Sequence, residues 1–186
     1  MSVSTNDLKT GMTLDLGDLW QVLEFQHHKP GKGQAVVRTK LRNVKTGAVQ
    51  ERTFKADEKV GLAIVERRQM QYLYREGDAL VLMDTETFEQ LHVPVEVAGD
   101  AVRYLVEGAT ALVPVHAGSP IGVELPAAVV LRVVRSDPGV KGDRVSGALK
   151  PAVLETGITV QVPLFVEEGD GVKVDTRTGA YLTRER

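Results

Sequence analysis

Strict alternation of side-chain character is what most narrows the folds open to this chain. Positions 34–44 read Q-A-V-V-R-T-K-L-R-N-V, which puts Val37, Thr39 and Leu41 on one side of an extended chain and Arg38, Lys40 and Arg42 on the other. A period of two marks a strand with one buried face; on a helix the same residues would scatter around the whole circumference. Residues 20–25, 79–83, 109–115 and 128–134 also read as strands. Turn-forming pairs punctuate them, among them Pro30-Gly31, Thr46-Gly47, Gly77-Asp78, Gly99-Asp100, Pro138-Gly139 and Thr178-Gly179. Many short strands with closely spaced turns predict an all-β protein of small barrels or sandwiches. One stretch departs from the pattern: residues 100–106 predict a short helix capped by Asp100.

Charge divides the chain more sharply than hydrophobicity. Residues 1–64 hold ten Lys/Arg against seven Asp/Glu, residues 65–126 four against ten, and residues 127–186 nine against eight. A basic, then acidic, then near-neutral course predicts three β-modules, 1–64, 65–126 and 127–186. Modules of about sixty residues lie near the lower limit for independent folding, so each is expected to dock on a neighbour. The net charge of −2 gives no bulk basicity to draw nucleic acid. With no cysteine, disulfides, thiolate nucleophiles and cysteine-held metals are excluded. Residues 1–14 contain no apolar run of signal-peptide length, and the longest apolar run, 125–131, is far too short to span a membrane. The expectation is a cytoplasmic protein with no membrane partner.

Two phrases recur. Glu76-Gly77-Asp78 followed by Asp84-Thr85-Glu86-Thr87 resembles Glu168-Gly169-Asp170 followed by Asp175-Thr176-Arg177-Thr178. Gly108-x-Thr-x-x-Val113-Pro114 resembles Gly157-x-Thr-x-x-Val162-Pro163. The order is reversed between the two modules, so the phrases indicate related local folds and leave common descent open.

The most unusual segment is His27-His28-Lys29-Pro30-Gly31-Lys32-Gly33-Gln34. It joins two strands, so it is expected to be a projecting hairpin loop. Pro30 fixes φ, and Gly31 and Gly33 permit positive φ, giving a tight turn with Lys32 at its tip. Flanking glycines strip bulk from either side of Lys32 and leave its amine free to enter a confined place. With Arg38, Lys40 and Arg42 on one strand face and Lys29 and Lys32 at the tip, the hairpin makes a positive arm suited to phosphates. The plain alternatives are a solvated turn lysine and a solvated strand exterior. Adjacent His27 and His28 point to opposite sides of an extended chain and make a poor chelating pair. His92 and His116 stand singly among apolar residues. No P-loop, G-x-G-x-x-G, G-x-S-x-G or paired-carboxylate arrangement occurs, so neither an enzyme active site nor a cofactor is expected.

The loop Lys29-Pro30-Gly31-Lys32-Gly33-Gln34-Ala35 resembles the modifiable arm of the bacterial elongation factor P family. The segment 150–169, K-P-A-V-L-E-T-G-I-T-V-Q-V-P-L-F-V-E-E-G, resembles that family's C-terminal signature, and V-D-T-R-T-G-x-Y at 174–181 its usual close. The resemblance runs from Leu8 to Tyr181. It implies an elongated, transfer-RNA-like protein with an N-terminal KOW/SH3-like barrel and two OB-fold barrels. It implies binding to the 70S ribosome between the peptidyl-tRNA and exit sites, and relief of stalling at consecutive prolines. Lys32 would approach the CCA end of peptidyl-tRNA amid ribosomal RNA, and in many members a lysine-modifying enzyme enlarges this residue. The family's eukaryotic and archaeal counterpart carries hypusine and lacks the third domain. In a loop that touches messenger RNA at the exit-site codon the family commonly has Gly-Asp-Thr, where this chain reads Gly142-Asp143-Arg144. Arginine keeps hydrogen-bond donors and adds charge, favouring phosphate over base. A monomer is expected. The rival reading is a generic RNA- or ribosome-binding β-barrel protein, such as an assembly or transcription factor.

Overall fold

A computed structural model of the protein describes residues 1–138 and 147–185, and these form three mostly antiparallel sheets. The first contains β1 (Ser2–Ser4), β2 (Thr13–Asp15), β3 (Leu19–His28), β4 (Val36–Asn43), β5 (Val49–Lys55) and β6 (Lys59–Ala63), in the order β1-β6-β2-β3-β4-β5. The alternation at 34–44 becomes β4: Val37, Thr39, Leu41 and Asn43 are buried, while Arg38 and Arg42 face solvent. Val37 and Leu41 meet Leu8, Leu14, Val22 and Phe54 in one core, each buried Val or Leu contributing about 1.5–3 kcal/mol.

The second sheet takes β7 (Glu66–Glu76), β8 (Ala79–Asp84), β9 (Gln90–Pro94), β10 (Thr110–His116) and β11 (Ser119–Pro120) in the order β11-β10-β7-β8-β9. The third takes β12 (Ala128–Ser136), β13 (Leu149–Leu154), β14 (Thr159–Pro163), β15 (Gly171–Asp175) and β16 (Tyr181–Glu185) in the order β14-β13-β12-β15-β16.

The expectation of closed barrels is corrected. Each sheet order has two ends, and the architecture has two curled half-barrels rather than fully closed cylinders. Closure needs every strand paired on both sides, and the two-residue β11 offers little length for that. The curl comes from bulges, where β3 shifts register between Val22 and Glu24, β7 between Tyr72 and Tyr74, and β12 between Val133 and Arg135. The expected helix is corrected too. Helical backbone begins earlier, at α1 (Val95–Ala98), where Pro94 ends β9 and the Val95 amide donates to the Asp78 carbonyl at 2.8 Å. Asp100 caps nothing; it lies within the 3-10 turn Gly99–Arg103 and pairs with Arg103 at 3.9 Å. Among the described residues no helix is long and apolar enough to cross a membrane.

The chain divides into two compact units, Met1–Arg67 with Pro114–Gly122, and Arg68–Val113 with Val123–Arg186. In the first unit His116 Nδ1 lies 2.9 Å from the Ile64 carbonyl oxygen. In the second, Tyr104, from the segment after α1, is buried in the core that Leu131, Val133, Leu154 and Val172 form in the third sheet.

One turn design appears in every sheet. Asn43, Asp84 and Asp175 each end a strand, and the Oδ1 of each accepts two amides, those of Lys45 and Thr46, of Glu86 and Thr87, and of Arg177 and Thr178, at 2.8–3.1 Å. Such Asx turns direct a hairpin reversal, and backbone bonds close it, the Gly47, Phe88 and Gly179 amides donating to the Asn43, Asp84 and Asp175 carbonyls at 2.8–2.9 Å. The next residue takes a positive φ: Gly47 at 73°, Phe88 at 62° and Gly179 at 73°. The Asp175 carboxyl is held down at about 2, first by the Arg177 guanidinium and then by the Arg177 and Thr178 amides. A carboxyl lowered on folding adds stability above its unfolded value near 3.9, and that stability disappears as pH falls toward 2. Asp175→Asn keeps the turn oxygen, as Asn43 does, but loses the charge. Thermal unfolding of wild type and Asp175→Asn is expected to differ at pH 6 and to converge between pH 4 and pH 2; a constant gap would contradict this.

Candidate functional site

The loop 29–35 leaves the first sheet where three strands end together. The last pair of the β3–β4 ladder is His28 with Val36, and Val36 pairs on its other side with Lys55 of β5. Lys29, Gly31, Lys32, Gly33 and Gln34 are exposed, and Pro30 is half-buried. Gly33 has φ +121°, a conformation L side chains rarely adopt, and a Cβ there would lie 3.6 Å from Pro30 Cγ. Gly31 takes no positive φ and has open space around it. The expectation that both glycines serve the backbone is thus corrected: Gly33 shapes the turn, and Gly31 only leaves room. The Lys32 ammonium makes no hydrogen bond or ion pair with the described residues.

Below the loop, Arg38, Lys40 and Arg42 share the outer face of β4, but not as an unbroken cationic row. Register places Lys40 between Glu24 on β3 and Glu51 on β5, and Arg38 between Gln26 and Thr53. Arg42 Nη2 donates to Gln21 Oε1 at 2.6 Å. A shallow concavity of about 330 Å³ lies on this face, lined by Glu24, Gln26, Arg38, Lys40, Glu51 and Thr53. Two carboxylates beside Lys40 offset much of its charge, so the positive potential concentrates toward Arg38 and the loop.

The other sequence candidates are scattered. The His27 ring meets Phe25 edge-on at 5.8 Å, and His92 Nε2 contacts Glu76 Oε2 at 3.0 Å on the surface. Gly142, Asp143 and Arg144 lie outside the described residues. At the edges of that stretch, Lys150 is buried and its Nζ donates to the Asp137 carbonyl at 2.8 Å. No local pattern in the sequence marks Lys150 as buried, because its partner Asp137 is brought to it by the fold.

Residues 4–60 match the elongation factor P KOW-like domain, residues 65–123 the elongation factor P OB domain, and residues 129–184 the elongation factor P C-terminal family. The chain is 60% identical over 182 residues to elongation factor P of Acidothermus cellulolyticus, covering 97% of both chains. This chain belongs to the elongation factor P family. It is 56% identical to elongation factor P of Moorella thermoacetica, covering 98% of this chain and 99% of that one. Among solved structures it is similar to eukaryotic translation initiation factor 5A from Methanococcus jannaschii, with a TM-score of 0.55 and 25% identity over 64% of this chain and 90% of that one. Membership in the elongation factor P family makes the chain a translation elongation factor and not an enzyme.

The two loop glycines therefore separate experimentally. Gly33→Ala is expected to cost about 1 kcal/mol through its left-handed backbone and to shift backbone amide resonances throughout 29–35. Gly31→Ala is expected to perturb only its immediate neighbours. Equal perturbation by both would contradict the geometry.

Proposed function

We propose that this chain binds the 70S ribosome between the peptidyl-tRNA and exit sites and stimulates peptide-bond formation, relieving stalling at consecutive prolines. The observation that carries the reading is Lys32, a cation at the exposed end of a hairpin, flanked by glycines and bonded to no described residue. Such an ammonium can contact the sugar-phosphate backbone of the CCA end of peptidyl-tRNA amid ribosomal RNA. Proline is a poor nucleophile for geometric as much as chemical reasons, so holding the two substrates in reactive geometry is itself catalysis of the ribosome's own reaction. It requires no acid, base or nucleophile from the factor.

In this reading the modules divide the work. Residues 1–64 carry the arm, with Lys29, Pro30, Gly31, Gly33 and Gln34 presenting Lys32, and Arg38, Lys40 and Arg42 facing RNA. Residues 65–126, with their excess of carboxylates, avoid phosphate. Residues 127–186 bring Gly142, Asp143 and Arg144 to messenger RNA at the exit-site codon, Arg144 acting through charge. Lys32 is the residue a lysine-modifying enzyme would enlarge, extending its reach. The factor works as a cytoplasmic monomer.

A contact that acts on geometry in the transition state appears in rate, whereas contacts spread over three modules appear in affinity. Lys32→Ala is expected to bind 70S ribosomes within about twofold of wild type, yet to lose roughly tenfold or more of the stimulation of single-turnover Pro-Pro-Pro synthesis. Full stimulation by Lys32→Ala would falsify the arm mechanism.

A further inference from the structure

The arm has a root as well as a tip, and three segments of the first sheet meet there. Loop 29–35 rejoins the sheet at Ala35, whose carbonyl accepts the Ala56 amide at 2.9 Å. This bond keeps the register of Val36 with Lys55, so it carries the β4–β5 ladder one pair further toward the loop. A two-stranded hairpin on its own is marginally stable, and the bond to Ala56 makes the root three-stranded. Ala56 belongs to the turn 55–58 that reverses β5 into β6, closed by the Glu58 amide on the Lys55 carbonyl at 3.3 Å. That closing bond is long, and alone it holds the turn weakly.

The third segment is the 3-10 turn Thr5–Asp7 between β1 and β2, which Ser4 caps, its Oγ accepting the Asn6 amide at 3.3 Å. Ser4 pairs with Lys59 at the start of β6, so this turn lies beside 55–58. Thr5 is fully buried. Its amide donates to the Glu58 carbonyl and its Oγ1 to the Lys55 carbonyl, both at 2.8 Å. Asn6 Nδ2 donates to Asp57 Oδ1. Residues 55, 57 and 58 are thus tied to Thr5 and Asn6, and Ala56 between them holds the loop. A buried hydroxyl is costly unless bonded, and a valine of the same shape would pack without that demand.

We propose that Thr5, with Asn6 beside it, is a positioning residue for the arm: by holding turn 55–58 it fixes the Ala56 amide on Ala35, and so sets where Lys32 is presented. Both side chains act through the turn rather than on the substrate. The inference rests on the role proposed above for Lys32 and deepens it.

Two substitutions isolate the hydroxyl: Thr5→Val deletes it and keeps the shape, and Thr5→Ser keeps it. Amide hydrogen exchange of the free protein reads the root, and single-turnover Pro-Pro-Pro synthesis on 70S ribosomes reads the tip. Thr5→Val is expected to speed exchange at the Ala56 amide about fivefold or more. It is also expected to lose about fivefold or more of the stimulation while binding 70S ribosomes within about twofold of wild type, because a small misplacement is costly in rate. Thr5→Ser is expected to restore both readouts. A merely structural threonine would lower Tm and leave the stimulation by bound factor intact. Unchanged exchange at Ala56, full stimulation by Thr5→Val, or an equal loss with Thr5→Ser would overturn the proposal. Asn6→Ala, at an exposed position, covers the case in which Thr5→Val does not fold. It is expected to move both readouts the same way with Tm within about 2 °C of wild type, and full stimulation there would also overturn the proposal. Wild type without stimulation overturns the proposed function and this inference together; an active wild type matched by the variants overturns this inference alone.

Discussion

The cross-strand register of β3 and β4 is the constraint on which the functional reading depends. Eight Cα pairs, from Trp20 with Asn43 to His28 with Val36, fix which residues face inward and which outward. A slip of one residue would turn Val37 and Leu41 out of the core and bring Arg38 and Lys40 into it. The cost of burying those cations is what holds the register, and the register in turn fixes the end from which loop 29–35 departs. Over the eight residues of β4 the ladder runs about 26 Å, at about 3.3 Å per residue. A lysine on a free loop would have reach without direction; a lysine at the end of a paired, one-side-buried ribbon has both.

The same register tempers the arm's electrostatics. Placing Lys40 between Glu24 and Glu51 leaves the middle of the ribbon nearly balanced, with Arg38 and the loop lysines carrying the unopposed charge. An arm that was cationic along its whole length would bind any polyanion along its flank. Charge concentrated toward the tip suits contact at one place. Segment 65–126, with ten carboxylates against four cations, offers phosphate no comparable attraction.

What was legible in the sequence followed locality. The alternation of β4 and the turn chemistry of loop 29–35 depend on neighbours a few positions away. The flanking of Lys40 was not legible, because Glu24 and Glu51 become its neighbours only through pairing with two other strands. Closed barrels were expected because strand count and turn spacing carry no information on whether a sheet's two edges meet. The helix was placed late because Asp100 resembles a cap, whereas Pro94 and the Val95 amide bonded to Asp78 set the actual start. The burial of Tyr104 in the core of the third sheet is not legible in its neighbours, because the residues it packs against lie far along the chain. The repeated Asp-Thr-x-Thr phrase is visible at 84–87 and 175–178; the same turn at 43–46 reads Asn-Val-Lys-Thr, and its two changed positions hide it.

The central claim is that the ribbon delivers position 32 to the CCA end of peptidyl-tRNA. Because the chain contains no cysteine, Lys32→Cys creates a unique attachment point for an Fe(II)-EDTA group. Hydroxyl radicals generated from that group on 70S ribosomes carrying peptidyl-tRNA report which nucleotides lie near the tip. Strand cleavage at the CCA end of peptidyl-tRNA and in the ribosomal RNA around it is predicted. Cleavage confined to other parts of the ribosome, with the CCA end untouched, would contradict the claim.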